Sequence, residues 1–158
     1  MKKEPPEILL GTGFYFDELE LGARFRSRSR TVTEADLVSF INLSWLNEEL
    51  FTNAHDRGDM AIPGRVVPGA LVYAFAEGLV TPSMQGTGLA FLNAELDISR
   101  PTFVGDTIHV ECEVIEHRLT SKPGKGLVRT RNRVVNKHGE TLLTYTPLRM
   151  MRVKENQA

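Results

Sequence analysis

Gly64-Arg65-Val66-Val67-Pro68-Gly69-Ala70-Leu71-Val72-Tyr73-Ala74-Phe75-Ala76-Glu77-Gly78-Leu79 decides the reading of this chain. Pro68-Gly69 opens an apolar run, and Glu77-Gly78 marks its end. The run predicts a helix that is hydrophobic nearly all round, hence buried. Its first backbone N–H groups have no intrahelical acceptor, so a buried start is a ready site for a carbonyl oxygen or an anion. Just upstream, Ser44-Trp45-Leu46-Asn47-Glu48-Glu49-Leu50-Phe51 combines large apolar side chains with two acids.

The chain has 158 residues, most simply one domain with a substantial core. The formal net charge of −1 gives no bulk electrostatic case for nucleic acid or an anionic membrane surface. A single cysteine, Cys112, excludes an internal disulfide framework and fits a reducing compartment. No signal peptide is visible, since Glu4, Pro5 and Pro6 follow Lys2 and Lys3 where an apolar run would be needed. Pro63, Arg65, Pro68 and Glu77 interrupt residues 62–80, which argues against a membrane span. A cytoplasmic protein is expected.

Residues 1–13, with Pro5, Pro6, Gly11 and Gly13, read as a flexible N-terminal arm. The domain is expected over residues 14–153, followed by a tail at 154–158. Over residues 23–32, Arg24, Arg26, Arg28 and Arg30 alternate with Ala23, Phe25, Ser27 and Ser29, which predicts a strand with one wet face. Thr33-Glu34-Ala35-Asp36 has the form of a capping box, and Leu37, Phe40, Ile41 and Ser44 follow at helical spacing. Residues 45–67 read as a long irregular segment, a kind of loop that is often functional.

From Gly88 the period changes to two. Residues 91–98 predict one strand. Ile108, Val110, Cys112 and Val114 alternate with polar residues in a half-buried strand. Residues 127–135 and 141–152 complete the set, with Pro147 implying an edge or a bulge. Early helices followed by antiparallel strands indicate an α+β fold, a sheet wrapped around the long helix. Glu111 and Glu113 are expected to face Arg129, Arg131 and Arg133 across strands, each pair contributing roughly 0.2–1 kcal/mol.

Four segments in this order resemble the MaoC-like dehydratases, the hot-dog-fold family that includes (R)-specific enoyl-CoA hydratases. They are Phe16-Asp17-Glu18-Leu19-Glu20-Leu21-Gly22, Arg30-Thr31-Val32-Thr33-Glu34-Ala35-Asp36, Gly64-Arg65-Val66-Val67-Pro68-Gly69 and Arg100-Pro101-Thr102-Phe103-Val104-Gly105-Asp106-Thr107. The family's hydratases carry Asp-x-Asn-Pro-x-His after the first helix, and there the Asp and His handle the water that adds to the enoyl double bond. Asn47 matches the Asn of that motif. Trp45 stands where the Asp belongs, Glu48 replaces the Pro, and the His falls on Leu50 or, with one inserted residue, on Phe51. Phe51-Thr52-Asn53 looks like the family's His-Thr-Asp, which favours Phe51. Neither indole nor phenyl can exchange the required proton.

The resemblance also implies that the Gly69 amide binds a thioester carbonyl, with the helix dipole behind it and Pro68 at the first helical position. The acyl pocket is then expected to be lined by Trp45, Leu46, Phe51 and Tyr73, beside Pro68. Glu48, Glu49 or His55, which adjoins Asp56, are the candidates to replace the dyad. His109, His117 and His138 lack metal-ligand spacing, so no metal site is expected. Cys112 reads as a small core residue. Ser44 and Ser83 lack a nucleophile-elbow setting, and Asn93 and Glu95 read as wet-face residues.

Three functions compete. The first is a hot-dog protein that binds an acyl thioester (acyl-CoA or acyl-carrier), with or without hydration by displaced groups. The second is a thioesterase with Glu48 or Glu49 as base. The third is a non-catalytic acyl-CoA-binding or interaction module. No cofactor is expected beyond the coenzyme A thioester as substrate or ligand. The resemblance implies a homodimer joined edge to edge, with no nucleic acid and no membrane as partner.

Overall fold

The computed structural model describes residues 7–55, 58, 60 and 62–155. Helix α1, Glu34–Ser44, starts at Thr33, whose hydroxyl accepts from the Asp36 amide while the Asp36 carboxylate accepts from the Thr33 amide. Leu37 and Ile41 are its buried side. A four-residue helix, α2, covers Glu49–Thr52 within the long segment after α1. The main helix, α3, runs Gly69–Val80.

The strands form one antiparallel sheet, wide by five strand positions (β1 with β2, then β5, β6, β7 with β8, and β3 with β4). Its long central strands are β5, Thr107–Leu119, and β6, Lys125–Asn136. β1 (Arg24–Arg26) and β2 (Arg30–Thr31) both pair with β5. β7 (Thr141–Tyr145) and β8 (Leu148–Arg152) follow each other along β6, and carry β4 (Leu96–Ile98) and β3 (Gly88–Asn93) on their far side. This is the expected α+β architecture.

Three expected strands are each divided in two. Residues 23–32 break at Ser27, whose hydroxyl accepts the Val110 amide in place of a ladder carbonyl. Residues 91–98 break between β3 and β4. Residues 141–152 break before Leu148, where Pro147 cannot donate, yet Pro147 is buried between paired strands and not on an edge. The alternation along β5 is as expected: Ile108, Val110, Cys112 and Val114 are buried. The first three join Val134, Leu142, Leu143 and Tyr145 of the sheet and Leu71, Val72 and Ala76 of α3 in one core, and Val114 joins Phe16, Leu19, Val128 and Met151 in a second. Fully burying one such aliphatic side chain contributes about 1.5–3 kcal/mol.

Helix α3 is less enclosed than its sequence predicts. Leu71, Val72, Ala76 and Val80 are buried, but Ala70, Ala74 and Gly78 are exposed. Small apolar side chains raise the mean hydropathy of a helix without requiring burial, because each removes little area from water. On the sheet, Glu111 opposes Arg133, Glu113 opposes Arg131 and Glu116 opposes Arg129, and all three pairs form ion pairs. The arginine run is therefore matched by acids across the ladder.

Candidate functional site

Pro68 is the N-cap of α3 and Gly69 its first helical residue, one position later than expected for the proline. The Pro68 carbonyl accepts from the Leu71 and Val72 amides. The Gly69 and Ala70 amides precede the first intrahelical bond and carry the positive end of the helix dipole. Upstream, Val66 bridges to Phe103, and the Val67 amide donates to Thr102 O at 2.9 Å. The helix start is thereby pinned to the turn that precedes β5.

Gly69 opens into a cavity of about 320 Å³. Leu50 and Phe51 of α2, Ile62, and Val66 and Val67 form one side of it. The other side is residues 98–102, with Val72, Leu142 and Leu143 also in the lining. Ile98 lies against Gly69 so closely that a Cβ there would displace its Cδ1, the free end of an exposed side chain. Ser99, Arg100 and Thr102 are the polar side chains of this wall. Arg100 is turned outward in an exposed pair with Glu140, worth little in stability. Among the described residues that line the cavity there is no carboxylate, imidazole or thiol.

The structure brings Gly69 and Phe51 together and leaves most of the other expected site residues elsewhere. Trp45 ends α1 in the left-handed conformation, φ 62°, and its ring is 84% exposed. That conformation turns the chain out of the helix axis and carries the indole into solvent. Leu46 is half-buried but outside the cavity wall. Asn47, Glu48, Glu49 and His55 are exposed. The His55 amide donates to Asn53 Oδ1, and Asp56 lies outside the described residues. Tyr73 packs edge-on against Tyr145, with ring centroids 5.0 Å apart, away from the cavity. Burial pushes its phenol pKa up, and the nearby Glu77 charge adds to this, so the hydroxyl stays protonated. Pro68 is buried behind the amide it precedes.

Sequence reasoning missed Ile62, Ile98, Thr102, Leu142 and Leu143, and set Leu50 aside in favour of Phe51 although both line the cavity. Each looks like an ordinary strand or loop residue, and only the packing of three distant segments places them around Gly69. Elsewhere, His117 stacks on Phe16 at 3.8 Å, and its Nε2 donates to the Phe16 carbonyl. That is a structural bond at the far end of β5.

The solved structure of a MaoC domain protein dehydratase from Chloroflexus aurantiacus superposes with a TM-score of 0.88 at 21% identity, over 96% of this chain and 44% of that one. Mesaconyl-CoA hydratase of Cereibacter sphaeroides is 26% identical over 148 residues, 92% of this chain and 43% of that protein. The chain has the hot-dog fold of the MaoC-like dehydratases. It is also 24% identical to the (R)-specific enoyl-CoA hydratase of Rhodospirillum rubrum over 94 residues, 60% of this chain and 65% of that protein. It thus spans less than two thirds of the length of either curated relative. No family model matches it. Among its described residues, no helix is long and apolar enough to cross a membrane.

Proposed function

We propose that this MaoC-like chain binds an acyl thioester, with the acyl group in the cavity and the thioester oxygen at the Gly69 amide. One observation carries the reading: the first residue of the main helix, whose amide precedes the first intrahelical bond, lines an apolar cavity that has no carboxylate or imidazole among its described lining residues. A free N–H at the positive end of a helix suits the partial negative charge of a thioester oxygen. About 320 Å³ lies at the small end of ligand pockets and suits a compact apolar group. Both curated relatives are named for action on CoA thioesters, which supports coenzyme A as carrier.

With Trp45 and Phe51 in place of the Asp and His of the family's hydratases, the reading is of a binding site whose dyad has been lost. Such a site holds a thioester without activating water. Glu48 and Glu49 are the alternative, as base of a thioesterase. They adjoin Leu50 and Phe51 in sequence, although both are exposed.

A second copy of the chain fits the proposal. β3 and β4 form an unpaired sheet edge that leaves Leu89, Phe91, Leu92, Leu96 and Ile98 exposed. Long apolar edges of this kind pair with another strand. Pairing through β4 would cover Ile98 and complete the cavity wall. A reducing, cytoplasmic setting agrees with a single buried thiol at Cys112.

The test is titration of the full chain with butyryl-, octanoyl- and lauroyl-CoA by calorimetry, alongside assays for crotonyl-CoA hydration and for release of free CoA. Saturable binding without turnover is expected. Absence of binding at every chain length rejects the proposal. CoA release that is lost in Glu48→Gln or Glu49→Gln establishes the thioesterase instead.

A further inference from the structure

Helix α2 supplies Phe51 to the cavity, yet none of its four residues is buried and its N-cap makes no side-chain bond. Leu50 and Phe51 are half-buried, so burial fixes it only in part. Arg65 provides a tie. Its Nη1 donates to the Phe51 carbonyl at 3.2 Å, and its Nη2 donates to Glu34 Oε1 at 2.7 Å. A cation at the last carbonyls of a helix is favourably placed.

The backbone of Arg65 is itself held, since its carbonyl accepts the Val104 amide at 2.9 Å and the next residue bridges to Phe103. Arg65 thus joins three elements at once, its guanidinium holding the start of α1 and the end of α2 and its backbone the turn before β5. A planar fork can serve two acceptors in fixed directions, which an ammonium does less well. Glu34 is largely exposed while Arg65 is not, so Glu34 holds the fork from the solvent side.

Resting on the acyl-thioester reading above, we infer that Arg65 is a positioning residue that sets which acyl groups the cavity admits. It does so by holding the Phe51 ring as a wall of the cavity. Phe51 packs against the main core and lines the same cavity as Gly69. Releasing its carbonyl loosens the hold on the end of α2 and lets the Phe51 wall of the cavity give way to a longer acyl group. The size limit for the ligand then lies in a charged side chain that does not itself line the cavity.

The experiment compares the wild-type chain with Arg65→Ala, Arg65→Lys and Glu34→Gln. Fluorophenylalanine labelling, with the Phe51 signal assigned from Phe51→Leu, reports the ring without ligand. Calorimetry gives the ratio of affinities for butyryl- and lauroyl-CoA. In Arg65→Ala the Phe51 signal is expected to move and broaden while the other fluorine signals hold. The affinity ratio is expected to fall about tenfold, the scale of one charge-assisted hydrogen bond. Arg65→Lys should rescue only part of this, and Glu34→Gln, which keeps the Phe51 bond, should fall between.

A Phe51 signal and an affinity ratio unchanged in Arg65→Lys and Arg65→Ala overturn the inference. A wild-type chain that binds neither thioester removes its ligand. The fluorine comparison then shows whether the failure lies in the ligand reading alone or also in the Arg65–Phe51 link. An equal loss of both affinities with their ratio preserved reduces Arg65 to a stabilising residue and overturns the inference as well.

Discussion

Ile98 of β4 occupies the space that a side chain on Gly69 of α3 would need. The contact joins an edge strand of the sheet to the first turn of the helix, and it leaves the Gly69 amide beside the cavity. Ile98 is 54% exposed and its Cδ1 ends a flexible side chain, so Gly69→Ala turns that methyl aside at little cost to stability. The added methyl crowds the space beside the amide, so calorimetry should show weakened acyl-CoA binding with the denaturation midpoint nearly unchanged. The double change Gly69→Ala with Ile98→Ala should recover most of the binding, since it restores the space.

Phe51 is half-buried, so its loss should affect binding more than folding. Phe51→Ala is expected to weaken acyl-CoA binding about tenfold, in line with the loss of about two buried methylenes' worth of contact. Its denaturation midpoint should move less than that of Leu71→Ala, a change in the buried face of α3. A midpoint shift larger than that of Leu71→Ala would make Phe51 a core residue first.

Cys112 is a buried free thiol on β5. Burial is the first cause that pushes its pKa up from 9.0 to about 12, with the Arg149 charge opposing and Glu77 adding. The folded state therefore favours the protonated thiol. This contribution to stability is fully present below about pH 9 and is lost as pH rises toward 12. An aromatic disulfide reagent at pH 8 should leave the native thiol intact and react at once in denaturant. Rapid native labelling would contradict the burial.

Asp36 closes the capping box of α1. The hydrogen bond from the Thr33 amide is the first cause that holds its carboxyl below 3.8, ahead of the opposing burial, with the Thr33 hydroxyl and Arg30 assisting. A depressed folded pKa stabilises above the unfolded value and is lost as pH falls through the folded one. The stability gap between wild type and Asp36→Ala should thus be complete at pH 6 and close below about pH 4. Thr33→Ala should cost about 1 kcal/mol, the usual worth of an N-cap. A gap that does not change with pH would remove the carboxylate from the cap.

Leu92 lies on the outer edge strand and is 46% exposed. Light scattering of the wild-type chain is expected to give a dimer. Leu92→Lys, a charge on an edge strand, should give a monomer. A wild-type monomer at working concentration would refute the edge pairing proposed for the site.

The amino-acid sequence by itself determined the elements whose pattern is local. The capping box fixed the start of α1, the period-two run fixed β5, and the acids and arginines indicated that β5 and β6 lie side by side, while the register, with Glu116 opposite Arg129, came from the structure. It also marked the Pro68-Gly69 step as the start of the main helix, to within the one residue by which the structure makes Pro68 the cap and Gly69 the first helical residue. Tertiary structure alone decided where the strands break, since the break at Ser27 depends on an amide from β5, eighty-three residues away.

Tertiary structure alone also decided the cavity. Its walls come from α2, from residues 98–102 and from β7, and no periodicity links segments so far apart. Trp45 shows the same limit from the other side. Its large apolar ring predicts burial, but the left-handed cap at the end of α1 sends it into solvent. A side chain's chemistry is written in the sequence, whereas its direction is set by the backbone that carries it and by the neighbours that leave it room.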